Sequence, residues 1–104
     1  MRKIIFRGWC KDGMDWIYGG GLVMSSKSKT AYISRYIDEP PIPVPALSVG
    51  RYTGFEDCDK EKIFEGDILE RDYREIMLVD WDEKKGMWVA AQNEHHIYGL
   101  EELS

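Results

Sequence analysis

The stretch that decides the fold is residues 67–92, DILERDYREIMLVDWDEKKGMWVAAQ. It contains three short runs, 67–71, 75–81 and 87–92, that are rich in aliphatic and aromatic residues. The last two runs are separated by the sequence DEKKG, which is typical of a turn. Short strands at this spacing predict an antiparallel meander that curls into a small, partly open barrel.

The middle run also predicts which side chains share a face. Successive side chains on a strand point to opposite sides of a sheet. The two sets within 75–81 are Met77, Val79 and Trp81 on one side, and Ile76, Leu78 and Asp80 on the other.

Upstream of this stretch the strand pattern continues. Residues 47–53 alternate as a strand that Gly54 is expected to close, and 56–61 form a charged loop. A tight turn is expected at Glu65-Gly66-Asp67. Residues 97–104 fit either a last edge strand or one helical turn. We therefore predict a C-terminal, barrel-like lobe over residues 47–104.

The N-terminal part predicts a separate hairpin lobe over residues 1–39. Residues 3–9 and 14–18 have strand composition, and Asp12-Gly13 between them is a strong hairpin signal. The pattern at 31–37 fits a strand or a short helix equally well. The whole chain is thus expected to be mainly β.

Four prolines lie within residues 40–46, at positions 40, 41, 43 and 45. Proline donates no hydrogen bond to a sheet, so this segment cannot be a central strand. We interpret it as a stiff connector between the two lobes. The alternative is a polyproline ligand for an SH3 or WW domain.

Composition indicates a soluble protein of the cytoplasm. The chain has 104 residues, enough for a modest core, and 12% aromatic residues. Cys10 and Cys58 are far apart in sequence, and we expect both to be free thiols. No signal peptide or membrane-spanning run is found, so no membrane association is expected.

The net charge of −5 is unevenly distributed. Residues 1–38 contain seven Lys/Arg and three Asp/Glu, giving +4, while residues 39–104 contain seven and sixteen, giving −9. Such an asymmetry indicates either an interaction surface or acidic loops that keep a small domain soluble.

Two blocks of sequence resemble a known family. They read GRYTGFED at 50–57 and KIFEGDIL at 62–69, and they are accompanied by the opening MRKIIFRGW at 1–9 and by VDWD at 79–82 followed by GMW at 86–88. Together they are similar to the signature of the YopX family over most of the chain. The loop at 57–62 departs from the Asn-Gly turn that is commoner in relatives. The resemblance implies a phage or prophage origin and a fold, but no chemistry.

Most residues of these blocks have a structural explanation. Gly54 and Gly66 are expected in turn conformations that a β-carbon disfavours, and Asp67 can accept backbone N–H bonds across its turn. Glu65 is the residue that structure explains least. The residues of these blocks that we expect to fill the core are Tyr52, Phe64 and Ile68.

The sequence predicts no catalytic residue, no metal ligand and no cofactor site. Residues 57–61 resemble the start of a calcium loop, but the positions that need Gly and Glu hold Lys62 and Ile68. His95 and His96 are adjacent and would point to opposite faces of a strand. The abundant carboxylates leave an acid-based enzyme as an alternative.

We therefore expect a binding module whose partner is a host or phage protein, with Trp9, Trp16 and Glu65 as the partner contacts. One alternative is nucleic-acid binding by the basic N-terminal lobe, whose aromatic side chains would stack on bases. Another is a homo-oligomer formed through edge strands or through the opposite charges of the two lobes.

Overall fold

The computed structural model describes residues 3–71, 75–92 and 96–103. The fold is mainly β, with antiparallel sheets and one sheet curled into half a barrel, so the predicted fold class is confirmed. Within the described residues there are eleven strands, one 3-10 turn and one helical turn. They are β1 (Phe6–Cys10), β2 (Asp15–Gly19), β3 (Gly21–Val23), β4 (Thr30–Ser34), β5 (Ile42–Pro45), the 3-10 turn Ala46–Ser48, β6 (Gly50–Glu56), β7 (Lys62–Phe64), β8 (Ile68–Arg71), β9 (Glu75–Asp82), β10 (Met87–Ala91), β11 (Ile97–Gly99) and α1 (Leu100–Leu103).

The chain forms two compact units, Met1–Tyr52 and Thr53–Ser104. The boundary lies inside β6, which gives its first residues to one unit and its last residues to the other. The stretch 40–46, predicted as a connector, therefore lies within the first unit.

In the first unit, the core forms where β1 and β2 approach a three-stranded sheet. This sheet has the order β3-β4-β5. A β-carbon at Gly8 on β1 would lie 2.6 Å from Cγ2 of Val44, so only glycine allows this close approach. The buried residues are Ala31, Ile33 and Val44, and Ile17, Leu22, Ala46 and Val49 pack against them.

The predicted N-terminal hairpin is confirmed. β1 pairs antiparallel with β2 from Phe6 to Cys10, and the loop between them is 11–14. The residue with a left-handed backbone in this loop is Met14, at φ 52°, and not Gly13. The Asp-Gly signal thus located the turn but not the residue that carries its strain.

The ambiguous segment 31–37 begins as a strand. β4 places Ala31 and Ile33 in the core and leaves Tyr32 exposed, which is the period-two pattern of a half-buried strand. After β4 the chain turns, and both Nε and Nη2 of Arg35 donate to Oε1 of Glu39, at 3.1 and 2.7 Å. This bond raises the pKa of Arg35.

The proline-rich stretch forms β5, an edge strand that pairs with β4. Pro43 and Pro45 are two residues apart, so their nitrogens point the same way. An edge strand tolerates proline where the missing N–H would face away from the neighbouring strand. The proline-rich strand β5 is therefore the edge of this sheet. The sequence had predicted a connector between two lobes at this position.

In the second unit, β8, β9, β10 and β11 form the predicted antiparallel meander. Met77 and Val79 are buried, whereas Ile76, Leu78 and Asp80 are exposed, so the predicted division of faces is confirmed. The two alternatives for 97–104 each describe part of the segment, since the edge strand β11 is followed directly by the helical turn α1, which ends at Leu103. The buried core consists of Ile63, Met77, Val79, Ala90 and Leu100.

Two details differ from the sequence predictions. Gly54 does not close β6, which continues to Glu56, although Gly54 does have a left-handed φ of 89°. Ile68 was expected in the core and is instead 67% exposed, because its position on β8 faces away from the side that carries Leu69.

Candidate functional site

The outward side of the β8–β11 sheet carries a row of apolar side chains that crosses all four strands. Ile68 pairs with Leu78, Leu78 pairs with Ala91, and Ala91 pairs with Ile97. Residues paired in this way lie side by side on one face of a sheet. We call Ile68, Leu78, Ala91 and Ile97 the apolar row, and the side of the sheet that carries it the outer face.

The apolar row is open to solvent for most of its length. Ile68 is 67% exposed, Leu78 50% and Ile97 39%, while Ala91 is half-buried. Ile76, next to the row on β9, is 57% exposed. Exposed aliphatic side chains that form one continuous patch are a mark of a binding surface, whereas scattered ones are not.

Carboxylates flank the apolar row on both sides. Glu70 lies opposite Ile76, two residues from Ile68 along β8, and Asp80 lies two residues from Leu78 in the other direction. Both are exposed. Beyond Asp80 the open surface ends, because Val89, its neighbour on β10, is 6% exposed.

The structure brings together two of the three residues predicted as partner contacts. Trp9 and Trp16 are opposite each other on β1 and β2, with ring centroids 5.3 Å apart in an edge-to-face arrangement. Both are half-buried. The guanidinium of Arg7 lies 4.1 Å from the centroid of the Trp16 ring, so a cation already occupies one ring face.

Glu65, the third predicted contact, belongs to the second unit and is half-buried in the turn between β7 and β8. The residues around it hold that turn. Oδ2 of Asp67 accepts the N–H of Phe64 at 2.8 Å, and the N–H of Asp67 donates to the Phe64 carbonyl at 3.0 Å. Gly66 takes a left-handed φ of 89° between them.

Tyr52 and Thr53 lie at the centre of β6. Tyr52 is half-buried and its N–H donates to the Ile5 carbonyl. Thr53, which the sequence analysis did not single out, is 7% exposed, and its Oγ1 donates to the Ile63 carbonyl at 2.7 Å. A buried hydroxyl with a backbone partner fixes β6 against β7.

These positions coincide with the blocks that carry the family signature. A model of the YopX family, described as YopX protein, matches residues 5–103. The chain belongs to the YopX family. Comparisons with curated proteins and with solved structures find no match. The YopX match spans both units and includes the whole apolar row.

The charged loop at 57–61 of this YopX chain is closed by one of its own carboxylates. Oδ1 of Asp57 accepts the N–H groups of Asp59 and Glu61 at 2.8 and 2.9 Å. Lys60 takes the left-handed conformation, at φ 65°. The carboxylate of Asp57 thus points into the loop.

Of the predicted histidine pair, His96 is exposed and His95 lies outside the described residues.

No group of three or more metal-ligating side chains occurs within residues 3–71, 75–92 and 96–103. Cys10 and Cys58 are free thiols, the first half-buried and the second exposed. The same part of the chain has no helix with the length and hydrophobicity that a membrane span requires.

The first unit of the YopX chain has an open depression of about 730 Å³ beside the β1–β2 loop. The residues that line it include Val44, Pro45, Lys11 and Lys29. None of the polar side chains that line it is buried. Nothing in this depression is therefore arranged to hold a polar ligand in one orientation.

The apolar row was not among the sites predicted from the sequence. The signal was present in β9, where Ile76, Met77, Leu78 and Val79 form a continuous apolar run. Such a run predicts a strand covered on both faces. In the structure only the face with Met77 and Val79 is covered within the described residues, which leaves the other face available.

Proposed function

We propose that this YopX protein is a non-catalytic accessory protein of phage or prophage origin, which acts in the cytoplasm of the bacterial host by binding another protein. The observation that supports the proposal is the exposed apolar row, Ile68, Leu78, Ala91 and Ile97, on the outer face. The partner is a host or phage protein that covers this row.

The physical reason is the cost of leaving such a row in water. Burial of apolar surface is favourable by about 25 cal/mol per Å². The contiguous exposed side chains of the apolar row therefore provide a driving force for association. A core of aliphatic side chains with a polar rim is also the usual anatomy of a protein interface, and Glu70 and Asp80 provide that rim here.

Nucleic-acid binding through the first unit has weaker support. Of the aromatic side chains expected to stack on bases there, Trp9, Trp16 and Tyr18, the two tryptophans pack edge to face and Arg7 lies over Trp16, whereas Tyr18 is 48% exposed. Base stacking needs a free ring face. We therefore assign this tryptophan pair to the stability of the hairpin, and partner binding to the second unit.

The test is affinity capture of the tagged protein from host lysate, with nuclease present, compared among three proteins. These are the wild type, Leu78→Asp and Ile37→Asp. Leu78 lies in the apolar row, whereas Ile37 is a fully exposed aliphatic side chain in the first unit and serves as the matched control. Circular dichroism and urea unfolding establish that both variants fold.

We expect a stoichiometric protein to be captured by the wild type and by Ile37→Asp, and to be lost with Leu78→Asp. Ile68→Asp, which changes the residue paired with Leu78 on the neighbouring strand β8, should lose the same protein. Capture that is equal for all variants would contradict the assignment to the outer face. Retention of nucleic acid alone, removed by nuclease and by salt, would favour the basic first unit instead.

A further inference from the structure

The apolar row has a direction and a length that select one kind of occupant. It runs across the strands, and neighbouring strands in a sheet are about 4.8 Å apart, so four strands span about 14 Å. An α-helix advances 5.4 Å per turn, so between two and three turns laid along the row would bring one side chain above each strand. A helix with an apolar stripe matches this spacing.

An extended peptide fits the same row poorly. Its side chains repeat on one face every 6.6–6.8 Å or so, which is wider than the spacing of the strands below. Its backbone N–H and C=O groups would also lie against aliphatic side chains, where they find no hydrogen-bond partner. A helix satisfies these groups internally, so a helix can cover Ile68, Leu78 and Ile97 without this cost.

The carboxylates beside the apolar row determine which charge the flanks of a bound helix should carry. Glu70 lies on one side of the row and Asp80 on the other, each two residues along its strand, or about 7 Å from the row. A helix is about 10 Å wide with its side chains, so the residues flanking its apolar stripe would lie above these carboxylates. No Lys or Arg occupies the outer face at the positions described on β8–β11.

We infer that the outer face binds a cationic amphipathic helix of the partner protein, two to three turns long, with an apolar stripe flanked by Lys or Arg on both sides. This inference depends on the proposed function and specifies the chemistry of the partner. Leu78, at the centre of the row, is the main apolar contact. Glu70 and Asp80 select the charge of the helix.

A second copy of this chain is a poorer occupant of the same face. Two outer faces packed against each other would bring Glu70 and Asp80 of both copies into one interface, with no Lys or Arg at the described outer-face positions to pair with them. Like charges brought together in an interface disfavour association. The acidic flanks thus favour a basic partner over self-association.

The probes for the test are three fluorescein-labelled synthetic peptides of 14 residues or so, a length equal to about four helical turns. The first has Leu at the stripe positions and Lys on both flanks. The second has Glu in place of Lys, and the third has the composition of the first in an order that abolishes the stripe. Fluorescence anisotropy measures the binding of each to the full-length protein.

We expect the Leu/Lys peptide to bind the wild type at least about tenfold more tightly than either control peptide. Leu78→Asp should weaken this binding about tenfold, whereas Ile37→Asp should leave it unchanged. Glu70→Gln and Asp80→Asn should each weaken it about threefold. The asparagine at position 80 can still accept the N–H of Trp81, which Oδ1 of Asp80 accepts at 2.8 Å.

Asp59→Asn controls for non-specific attraction to an acidic protein, because it removes one charge from the exposed loop 57–61. An equal loss of affinity for Asp59→Asn and Glu70→Gln would overturn the inference. So would equal binding of the Leu/Lys and Leu/Glu peptides, or a homodimer in sedimentation that Leu78→Asp dissociates. If lysate capture depends on Leu78 but the Leu/Lys peptide does not bind, this inference fails while the proposed function stands.

Discussion

At the residue scale, the β1–β2 and β9–β10 hairpins have different residue types at the same loop position. The loops are 11–14 between β1 and β2, and 83–86 between β9 and β10. The last residue of each loop is left-handed, Met14 at φ 52° and Gly86 at φ 62°. Glycine adopts this conformation freely, whereas a side chain raises its energy by roughly 1–2 kcal/mol.

We therefore expect Met14→Gly to stabilise the protein by about 0.5–1 kcal/mol, since the relief of strain exceeds the entropy that glycine loses. Gly86→Ala should destabilise it by about 1 kcal/mol for the opposite reason. Urea denaturation of the two variants measures both effects.

Gly13→Ala is the control for this pair. Gly13 has no left-handed φ, and a β-carbon there meets nothing within 4 Å, so the substitution should be neutral or slightly stabilising. If Gly13→Ala destabilised the protein while Met14→Gly did not stabilise it, the strain would lie at Gly13 and the assignment to Met14 would be wrong.

At the scale of the element, each unit contains a hairpin closed by a tryptophan pair. Trp9 faces Trp16 and Trp81 faces Trp88, with ring centroids 5.3 and 5.1 Å apart and both pairs edge-to-face. In each hairpin the pair lies one register position before the loop-closing residues. Edge-to-face aromatic pairs contribute about 0.5–1.5 kcal/mol beyond the area that they bury.

A double-mutant cycle should detect this coupling in the second unit. Trp81→Leu, Trp88→Leu and the double variant keep apolar side chains at both positions and remove the ring–ring contact. We expect an interaction energy of about 1 kcal/mol from urea denaturation. Additive effects of the two substitutions would mean that each ring contributes through burial alone.

At the scale of the whole molecule, charge distinguishes the two units. Residues 1–52 contain eight Lys/Arg and four Asp/Glu, giving +4, whereas residues 53–104 contain six and fifteen, giving −9, which together give the net charge of −5. Self-repulsion within a strongly charged unit destabilises its compact state, and salt screens that repulsion. The second unit should therefore gain more stability from added salt than the first.

Hydrogen exchange can measure this difference, because it reports the opening free energy of each unit separately. Between about 0.01 and 0.1 M salt the screening length falls from about 30 to about 10 Å. Over this range we expect the amide of Val79 to gain more protection than the amide of Ile33, each being buried in the core of its own unit. Equal changes at both amides would show that the repulsion is spread over the whole chain.

The sequence by itself determined the features that depend on neighbours along the chain. The alternation in 75–81 established which residues of β9 share a face, and the composition around Asp12-Gly13 located the first hairpin. The blocks at 50–57 and 62–69 indicated the YopX family, which the match over residues 5–103 confirms. These features follow from side-chain direction and local turn preference, which a few consecutive residues fix.

Only the tertiary structure decided which faces are covered. Alternation separates Leu78 from Val79 but cannot tell which of them will be buried, because burial depends on strands and turns distant in the sequence. The core around Val79 is completed by Ile63 and Leu100, and no equivalent layer from the described part of the chain covers Leu78. The same reason explains why Ile68, which was predicted in the core, is exposed. It also explains why the proline-rich stretch forms the edge strand β5, since pairing with β4 depends on residues distant in the sequence. The candidate site is thus a property of packing, since it consists of neighbouring apolar side chains on one face of the β8–β11 sheet that packing within the described residues leaves exposed.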